Sequence, residues 1–299
     1  MNILITGATG GVGSRLVPVL RSRGHEVCIL TSSKNKQNVQ QNVFYWNPKE
    51  NIFPENFNFK PDSVVHLAGA NIASQRWTES YKTEIISSRV DTSLFLHQQL
   101  LKFDALPRHY ITASGTDIYP DDLPEDCTEE TKVGNSFLAT VCAQWEAVSR
   151  IWAESGAEVS IIRTPVVLMK KQGFIKTMLA TAPLGIIPIT GASRNRLSWI
   201  HIDDLCNAYA LAAEGQLKGT YNLVAPQTSN MGELVRSIDK ARGRKTLHPV
   251  VPAFVLKLVL GEMGSLACSN RAVNAQKLLK TGFQFAFPDI QTALNHVIQ

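Results

Sequence analysis

Apolar residues recur along the chain as short continuous runs that alternate with longer segments of helical spacing. The continuous runs, typical of buried strands, span residues 2–6, 27–31, 63–67, 109–113 and 160–168. The segments with apolar residues three and four positions apart span 11–23, 77–102 and 136–152. Strands that alternate with helices pair in the same direction, so this order predicts an α/β fold of the Rossmann type with a doubly wound parallel sheet.

The first helical segment has a defined end and one irregularity. Val12, Leu16 and Leu20 share one face, and Gly24 is a typical helix stop. Pro18 lies inside the segment and has no backbone N–H. We therefore expect a kink or a lost hydrogen bond at Pro18.

A glycine-rich loop from Thr6 to Gly13 joins the first strand to the first helix. Gly7 permits a sharp turn, Gly10 lets the backbone approach a pyrophosphate, and Gly13 lets the helix pack closely on the strand. The unpaired N–H groups at the helix N-terminus favour an anion. The loop therefore predicts a dinucleotide site, and a purely structural glycine turn is the alternative.

The end of the second strand indicates which dinucleotide is bound. An NAD enzyme usually carries Asp or Glu there to hold the ribose 2′-hydroxyl. This chain instead has Thr31, Ser32, Ser33 and Lys34. Hydroxyls and an ammonium can receive a 2′-phosphate that a carboxylate would repel, so we expect NADP(H) to be favoured over NAD(H). The alternative is a solvated loop in which Lys34 binds nothing.

The length of 299 residues and a hydrophobic content of 44% allow a nucleotide domain with a second lobe. Neither an internal repeat nor a Gly/Ser linker separates the two. We therefore expect the nucleotide-binding domain over residues 1–168, with segments near 197–226 returning to it. The smaller substrate lobe would then comprise residues 169–196 and 227–299, woven into the first domain.

Charge and cysteine usage limit the partners. The net charge is +5, and Lys and Arg are not collected into runs, so we expect a small-molecule substrate and no nucleic acid. The five cysteines are odd in number and form no CxxC pair, which argues against disulfides and a metal site. No apolar run reaches the ~18 residues of a membrane span, so we expect a cytoplasmic protein without a membrane partner. A homodimer is compatible with these features.

Several sequence blocks together resemble a known superfamily. They are ITGATGGVG, HLAGANI with QRW and SSR, SWIHIDDL, YNLVAP, LGEM and TGFQFAFPDIQTAL. This chain resembles the extended short-chain dehydrogenase/reductases, and more nearly their atypical, sugar-nucleotide-epimerase-like members of the NAD-dependent epimerase/dehydratase type. The last two blocks resemble the small C-terminal domain of that family, which implies such a domain at about residues 249–299.

The resemblance implies a set of cofactor contacts. Besides the residues already named, it places Leu67 and Ala68 against the adenosine and ribose. The full candidate set is Gly7, Thr9, Gly10, Gly11, Val12, Gly13, Thr31, Ser32, Ser33, Lys34, Leu67, Ala68, Gly69, Glu84, Arg89, Pro165 and Val166. The Arg89 guanidinium could hold two phosphate oxygens in a forked geometry, and an exposed helical arginine is the alternative. The family often has Arg where this chain has Ser32.

The superfamily's catalytic pair is missing. Working members use Tyr-x-x-x-Lys on a helix, and the resemblance places Leu138 and Cys142 at those two positions. Neither can transfer a proton in the same way. Ser114 and Tyr119, after the strand at 109–113, remain the catalytic candidates. Tyr119 would need a nearby cation to lower its pKa, and packing as a pocket wall is its alternative role.

Five residues are expected at the substrate cleft: Trp77, Ser114, Tyr119, Trp199 and His201. His201 with Asp203 and Asp204 looks superficially like a charge relay. The alternation in SWIHIDDL instead favours a strand that runs into a helix, with Asp203 or Asp204 as its N-cap.

Two functions remain open from the sequence. The first is an NADP(H)-dependent epimerase or oxidoreductase that acts on a sugar-nucleotide-like or other small polar substrate. The second is a non-catalytic or weakly catalytic NADP-binding protein that senses redox state, which the missing Tyr and Lys favour.

Overall fold

The computed structural model describes residues 1–170 and 172–298. Its strands are β1 (Asn2–Thr6), β2 (Glu26–Thr31), β3 (Val43–Tyr45), β4 (Ser63–His66), β5 (His109–Gly115), β6 (Glu158–Thr164), β7 (Val166–Leu168), β8 (Ile189–Thr190), β9 (Arg196–Leu197), β10 (Trp199–His201), β11 (Gly219–Asn222), β12 (Ser229–Asn230) and β13 (Val250–Val251). Its helices are α1 (Gly13–Ser22), α2 (Glu79–Lys102), α3 (Phe137–Val148), α4 (Arg150–Glu154), α5 (Gly173–Met178), α6 (Ile202–Ala213), α7 (Met231–Arg242), α8 (Ala253–Leu260), α9 (Gln276–Leu279) and α10 (Ile290–Ile298).

Seven strands form one parallel sheet in the order β11-β6-β5-β4-β1-β2-β3. The order reverses beside β1, because β2 and β3 continue on one side while β4, β5 and β6 continue on the other. Ligands of such sheets bind at the carboxyl ends of the strands near this reversal. The predicted Rossmann-type parallel sheet is confirmed.

Apolar cores cover both faces of the sheet. On one face, Ile3 and Ile5 of β1 pack with residues of α1 and α6 such as Leu16 and Leu205. On the other face, Leu4 packs in a cluster that includes Phe95 of α2 and Trp152 of α4. Alternate residues of β1 therefore point to opposite cores, which explains why this strand is apolar without interruption.

A third core lies in the C-terminal part of the chain. Leu234 and Ile238 of α7 pack with Leu294 of α10, and Trp199 of β10 joins the same cluster. Three two-stranded pairings accompany these helices, β10 with β7, β12 with β9 and β13 with β8. The later segments thus alternate between the large sheet and this smaller core.

The element boundaries differ from the sequence expectation at a few points. Helix α1 continues through Pro18 and ends before Gly24, whose φ is +80°. The run 160–168 divides into β6 and β7 at Pro165, because proline cannot donate a ladder hydrogen bond. The run 136–152 likewise divides into α3 and α4. The short strands β3 and β11 were not predicted, since β3 has only three residues and β11 contains Gly219 and Asn222.

Candidate functional site

The glycine loop between β1 and α1 is as tight as its sequence requires. Gly7 has a φ of +71°, and a Cβ there would lie 2.6 Å from the Leu67 carbonyl carbon. A Cβ at Gly13 would lie 2.4 Å from the Gly7 carbonyl oxygen. Both distances are shorter than real Cβ contacts. Gly7 and Gly13 therefore serve the turn and the close packing of α1 on β1.

Gly10 differs from Gly7 and Gly13, because a side chain at Gly10 would point into open space. A Cβ at Gly10 would have one neighbour within 4 Å, the Gly7 oxygen at 3.3 Å. The Gly10 N–H donates to that oxygen, while the N–H groups of Gly11, Val12 and Gly13 have no acceptor in the described part of the chain. Thr9 is exposed beside them. The loop and the start of α1 therefore present free donors that suit a pyrophosphate.

The end of β4 lies against this loop. The Thr6 hydroxyl is 2.8 Å from Nδ1 of His66 and accepts a 3.3 Å hydrogen bond from the Ala68 N–H. His66 is fully buried, and its burial lowers its pKa to about 4, so the ring is neutral at pH 7. These contacts hold Leu67 and Ala68 directly beside Gly7.

The end of β2 presents polar groups to solvent. Thr31 is buried, and its hydroxyl accepts a 3.2 Å hydrogen bond from the Ser33 N–H. Ser32 and Lys34 are exposed, and the Lys34 ammonium lies 5.2 Å from the centre of the Tyr45 ring. This edge carries hydroxyls and an ammonium and has no carboxylate among residues 31–34.

Arg89 on α2 is half-buried beside Gly69. Its guanidinium donates to the carbonyl oxygens of Ile85 at 2.9 Å and Ala70 at 3.1 Å, and it lies 4.9 Å from the centre of the Trp145 ring. A Cβ at Gly69 would lie 3.0 Å from the guanidinium carbon, so glycine makes room for it. Burial lowers the pKa of Arg89. The structure pairs Arg89 with no carboxylate among the described residues.

The other expected cofactor residues lie around the same edge. Glu84, five residues before Arg89 on α2, forms a 2.6 Å ion pair with Lys49. Pro165 and Val166 are half-buried at the junction of β6 and β7. Gly11 is half-buried, and a Cβ there would lie 3.2 Å from Sδ of Met169.

The two positions of the missing catalytic pair lie on the buried side of α3. Leu138 and Cys142 are 7% and 6% exposed. Burial raises the pKa of the Cys142 thiol to about 12, so the thiolate needed for nucleophilic chemistry is not formed near neutral pH. Cys142 therefore acts as a small apolar side chain.

Ser114 and Tyr119 both belong to a buried network instead of facing open space. The Ser114 hydroxyl donates to Glu146 at 2.7 Å, and Glu146 forms an ion pair with Arg163 at 2.8 Å. Nη1 of Arg163 donates to the Tyr119 hydroxyl at 2.7 Å, which in turn donates to Asn222 at 2.7 Å. This network ties β5, β6, β11 and α3 together.

The network supplies the cation that the sequence did not reveal for Tyr119, but burial dominates. The pKa of Tyr119 is raised to about 12 by burial, although Arg163 lowers it. Tyr119 is 1% exposed and Ser114 is 3% exposed. Both hydroxyls are hydrogen-bonded inside the protein, whereas the sequence suggested that they would face a substrate, so their catalytic role stays a prediction.

A cavity of about 350 Å³ opens beside Leu138. Its walls come from the chain just before α2, the start of α3, the turn after β5, and the segment from α8 to residue 271. They include Trp77, Asp117, Asp121, Ser136, Phe137, Leu138, Ala253, Lys257, Glu262, Ser265, Leu266, Cys268 and Arg271. Of the five residues expected at the substrate cleft, only Trp77 lies on its wall.

Arg271 anchors the C-terminal segment to the sheet at this cavity. It is 8% exposed and donates to Asp117 at 2.8 Å and to Asp121 at 2.9 Å. Sequence reasoning missed all three residues, because each lies outside a recognisable motif and the pairing joins positions 150 residues apart.

Trp199 and His201 lie inside the protein, away from the cavity. They are 1% and 0% exposed, because β10 runs through the C-terminal core and both of its faces are covered. His201 is also the N-cap of α6, since its Nδ1 accepts from the Asp203 N–H at 3.1 Å. Asp204, one of the two N-caps expected for α6, instead accepts hydrogen bonds from the N–H groups of Ala286 and Phe287.

His201, Asp203 and His296 are close enough to suggest a metal centre. However, Nδ1 of His201 accepts the capping hydrogen bond, so a neutral ring carries its proton on Nε2. That nitrogen lies 3.0 Å from Nδ1 of His296. The ring therefore donates to His296 and has no free lone pair for an ion.

A seven-stranded parallel sheet with a glycine loop beside its reversal point defines a Rossmann-type dinucleotide-binding fold. The chain belongs to the NAD dependent epimerase/dehydratase family, which its residues 3–223 match. Residues 251–297 match a domain of unknown function, DUF1731.

Relatives cover the chain from end to end. It is 32% identical over 304 residues to the epimerase family protein SDR39U1 of Mus musculus, with 100% of both chains covered. It is 29% identical to the epimerase family protein SAR0825 of Staphylococcus aureus, with 99% and 98% covered. The crystal structure of human SDR39U1 with NADPH has a TM-score of 0.89 at 27% identity, covering 99% of each chain.

More distant structures share the fold alone. UDP-glucose 4-epimerase of Thermotoga maritima, solved with UDP-glucose, has a TM-score of 0.80 at 17% identity and covers 100% of this chain and 97% of its own. The described part of this chain contains no helix long and apolar enough to cross a membrane.

Proposed function

We propose that the protein is an NADP(H)-dependent oxidoreductase or epimerase that acts on a small polar, sugar-nucleotide-like substrate. The observation that carries the proposal is the cavity beside Leu138. The sequence resemblance assigns Leu138 to the position of the superfamily's catalytic Tyr, which supports a cavity where a substrate would meet the nicotinamide. Its volume of about 350 Å³ falls within the range of small-molecule sites.

The residues present fit a dinucleotide. The free N–H groups of Gly11, Val12 and Gly13 would hold the pyrophosphate, and the backbone at Leu67 and Ala68 would lie beside the adenosine. Ser32 and Lys34 would receive the 2′-phosphate, which supports NADP(H) over NAD(H). The NADPH in the human SDR39U1 structure supports the same choice. A bound nicotinamide would supply hydride transfer.

The walls of the cavity favour a polar substrate with an apolar face. Trp77 and Phe137 stack edge to face with ring centres 5.1 Å apart, and Lys257 and Glu262 provide opposite charges. An aromatic side with a polar rim is suited to a sugar ring or a comparable hydroxylated carbonyl compound.

The second candidate is a weakly catalytic or non-catalytic NADP-binding protein that senses redox state. The inert pair Leu138 and Cys142 favours it, as does the burial of Ser114 and Tyr119. If hydride transfer occurs, we expect its proton to come from a different group of the cavity wall or from water, because Leu138 carries no exchangeable proton and the other three side chains are buried.

A single-turnover experiment separates the two candidates. The protein is loaded with NADPH and mixed with carbonyl compounds, or loaded with NADP+ and mixed with sugar nucleotides, and the NADPH absorbance is followed together with the stereochemistry of the recovered sugars. An oxidoreductase predicts faster NADPH loss with at least one carbonyl compound, and an epimerase predicts an inverted sugar without net cofactor change. A sensor predicts the background rate and unchanged compounds throughout the panel while the cofactor remains bound.

We also propose the division of the chain that the sequence suggested. Residues 1–168 with 197–226 would form the nucleotide domain, and 169–196 with 227–299 the substrate lobe. The four buried free cysteines Cys28, Cys127, Cys142 and Cys206 support a reducing compartment such as the cytoplasm. Limited proteolysis in the presence of NADPH tests the division, because the nucleotide domain should gain protection first.

A further inference from the structure

Helix α8 exposes an unusual amount of apolar surface. Its sequence is AFVLKLVL, and none of its eight residues is buried. Leu258 is 81% exposed, Phe254 is 73% exposed and Val259 is 54% exposed. Phe254 and Leu258 are one helical turn apart and therefore share a face.

Further exposed apolar residues lie on the chain before α8. Leu247 and Val250 are exposed there, and Leu184 is exposed on the neighbouring segment. The Leu247 N–H donates to the Gly185 carbonyl oxygen at 2.8 Å, which brings Leu184 beside Leu247. We call Leu184, Leu247, Val250, Phe254, Leu258 and Val259 the apolar patch. Exposed large apolar residues concentrated on neighbouring segments indicate an interaction site.

Basic residues are concentrated on the segment that carries most of the apolar patch. Residues 236–259 contain six Lys or Arg and one Asp, a net charge of +5, which equals the net charge of the whole chain. Arg236, Lys240, Arg244, Lys245 and Lys257 of this segment are all exposed. The rest of the chain is therefore neutral overall, and the excess positive charge lies on the segment that carries five of the six residues of the apolar patch.

We propose that this surface docks onto an anionic lipid membrane. Apolar side chains that project from a helix, with Lys and Arg beside them, are the features by which interfacial helices enter the headgroup region. Anionic lipids attract each basic residue near the surface, and the apolar side chains add burial in the acyl boundary. The protein would lie on the membrane and not span it.

Charge and shape favour this occupant over others. A second copy docked through the same patch would bring two +5 segments together, and like charges oppose that contact. The most exposed side chains are 72–81% accessible, so they project outward and do not line a groove that an acidic protein segment could fill. A lipid surface is soft and needs no matching groove.

The proposal revises the sequence expectation of no membrane partner, which relied on the absence of a long apolar run. The proposal also predicts where the cavity lies relative to the membrane. Ala253 and Lys257 line the cavity, whereas Phe254 and Leu258 occupy the adjacent face of the same helix. A docked protein would therefore hold the cavity next to the membrane surface.

Vesicle co-sedimentation of the full chain tests the proposal. Vesicles of phosphatidylcholine alone are compared with vesicles that also contain phosphatidylserine, at low and high salt. Binding is expected to the anionic vesicles only, and salt should weaken it. Arg244→Gln with Lys245→Gln should weaken binding about 30-fold, because each basic residue contributes about a factor of five. Phe254→Ser and Leu258→Ser should each weaken it about tenfold or more.

A matched control comes from α2, where Leu101→Ser with Lys102→Gln changes an exposed apolar and basic pair far from the patch. This control should bind vesicles like the parent, and all variants should bind NADPH like the parent, which shows that they are folded.

Three results would overturn the proposal. The first is no binding to anionic vesicles by the parent chain. The second is a concentration-dependent dimer in light scattering that Phe254→Ser abolishes while vesicle binding is absent, which would assign the patch to a second copy. The third is equal vesicle binding by the parent and the patch variants, which would leave the patch without a part in docking.

Discussion

Replacing Gly10 with Asp should abolish dinucleotide binding without unfolding the protein. A Cβ at Gly10 meets only the Gly7 oxygen at 3.3 Å, so a small shift accommodates a side chain. The same change at Gly7 or Gly13 would meet backbone atoms at 2.6 Å or 2.4 Å and should damage the fold itself. Gly10 is therefore the glycine whose substitution separates binding from stability.

The magnitude follows from charge and distance. A carboxylate roughly 4 Å from a phosphate charge, at an effective dielectric constant of about 20, costs about 4 kcal/mol, or roughly a thousandfold in affinity. Gly10→Asn has almost the same shape without the charge and isolates the steric part. Titration calorimetry with NADPH measures the dissociation constants, and thermal melting confirms that both variants are folded.

The reasoning on Gly10 would be refuted by a folded Gly10→Asp protein whose NADPH affinity stays within threefold of the parent. Equal losses for the Asp and Asn variants would show that bulk, and not charge, opposes binding. The first result would place the pyrophosphate elsewhere than against this loop, whereas the second would keep it there and remove only the electrostatic part of the explanation.

Four further predictions follow from the same structure. Lys34→Ala should reduce the ratio of NADPH to NADH affinity about tenfold, because a charge-assisted hydrogen bond contributes about 1.5–3 kcal/mol. The control Lys36→Ala should leave that ratio unchanged. Equal affinities of the parent protein for the two cofactors would contradict the proposed role of Lys34. Cys142→Ser should change NADPH affinity and any turnover by no more than a few fold, because the thiol stays protonated; a collapse in rate would indicate thiol chemistry. Tyr119→Phe should lower the free energy of unfolding in urea by about 1–3 kcal/mol, because it leaves the buried Asn222 side-chain oxygen without its donor. A rate loss of ~10²–10⁴-fold at unchanged stability would instead make Tyr119 catalytic. His66 has a folded pKa of about 4, below its ordinary 6.5, so its contribution to stability is complete above pH 6.5 and is lost as the pH falls towards 4. His66→Gln should therefore remove about 3 kcal/mol of the pH dependence of the unfolding free energy, measured by urea titrations across this pH range. An unchanged pH dependence would contradict the assignment.

The sequence sufficed for the central sheet and the phosphate loop because both depend on local rules. A buried parallel strand must be apolar throughout, and the turn at Gly7 and the contact at Gly13 each exclude a Cβ. These requirements leave a mark on consecutive residues. The three-residue strand β3 leaves no such mark, since its position depends on pairing with β2.

The candidate site was less predictable because burial is a property of the whole fold. Trp199 and His201 alternate with Ile200 as an exposed-edge strand would, yet the C-terminal core covers both faces. Tyr119 follows the strand that normally presents the catalytic hydroxyl, yet Arg163 and Asn222, 44 and 103 residues later, enclose it. Local spacing cannot report such long-range partners.

Charge was misleading for a similar reason. Arg244, Lys245 and Lys257 do not form a run, so the sequence indicated no basic surface. They lie on the same segment as Phe254 and Leu258. The sequence shows where these charges fall along the chain, but only the fold shows that the apolar side chains of that segment are exposed.

Transfer of a labelled hydride is the most direct test of the proposed function. The protein is loaded with NADPH that carries deuterium at the transferable nicotinamide position, and it is mixed with each compound of the carbonyl and sugar-nucleotide panel. Mass spectrometry then follows the label. We expect at least one compound to take up deuterium at a carbon as NADPH is oxidised. NADPH that stays bound and fully labelled with every compound would contradict an oxidoreductase and favour the sensor.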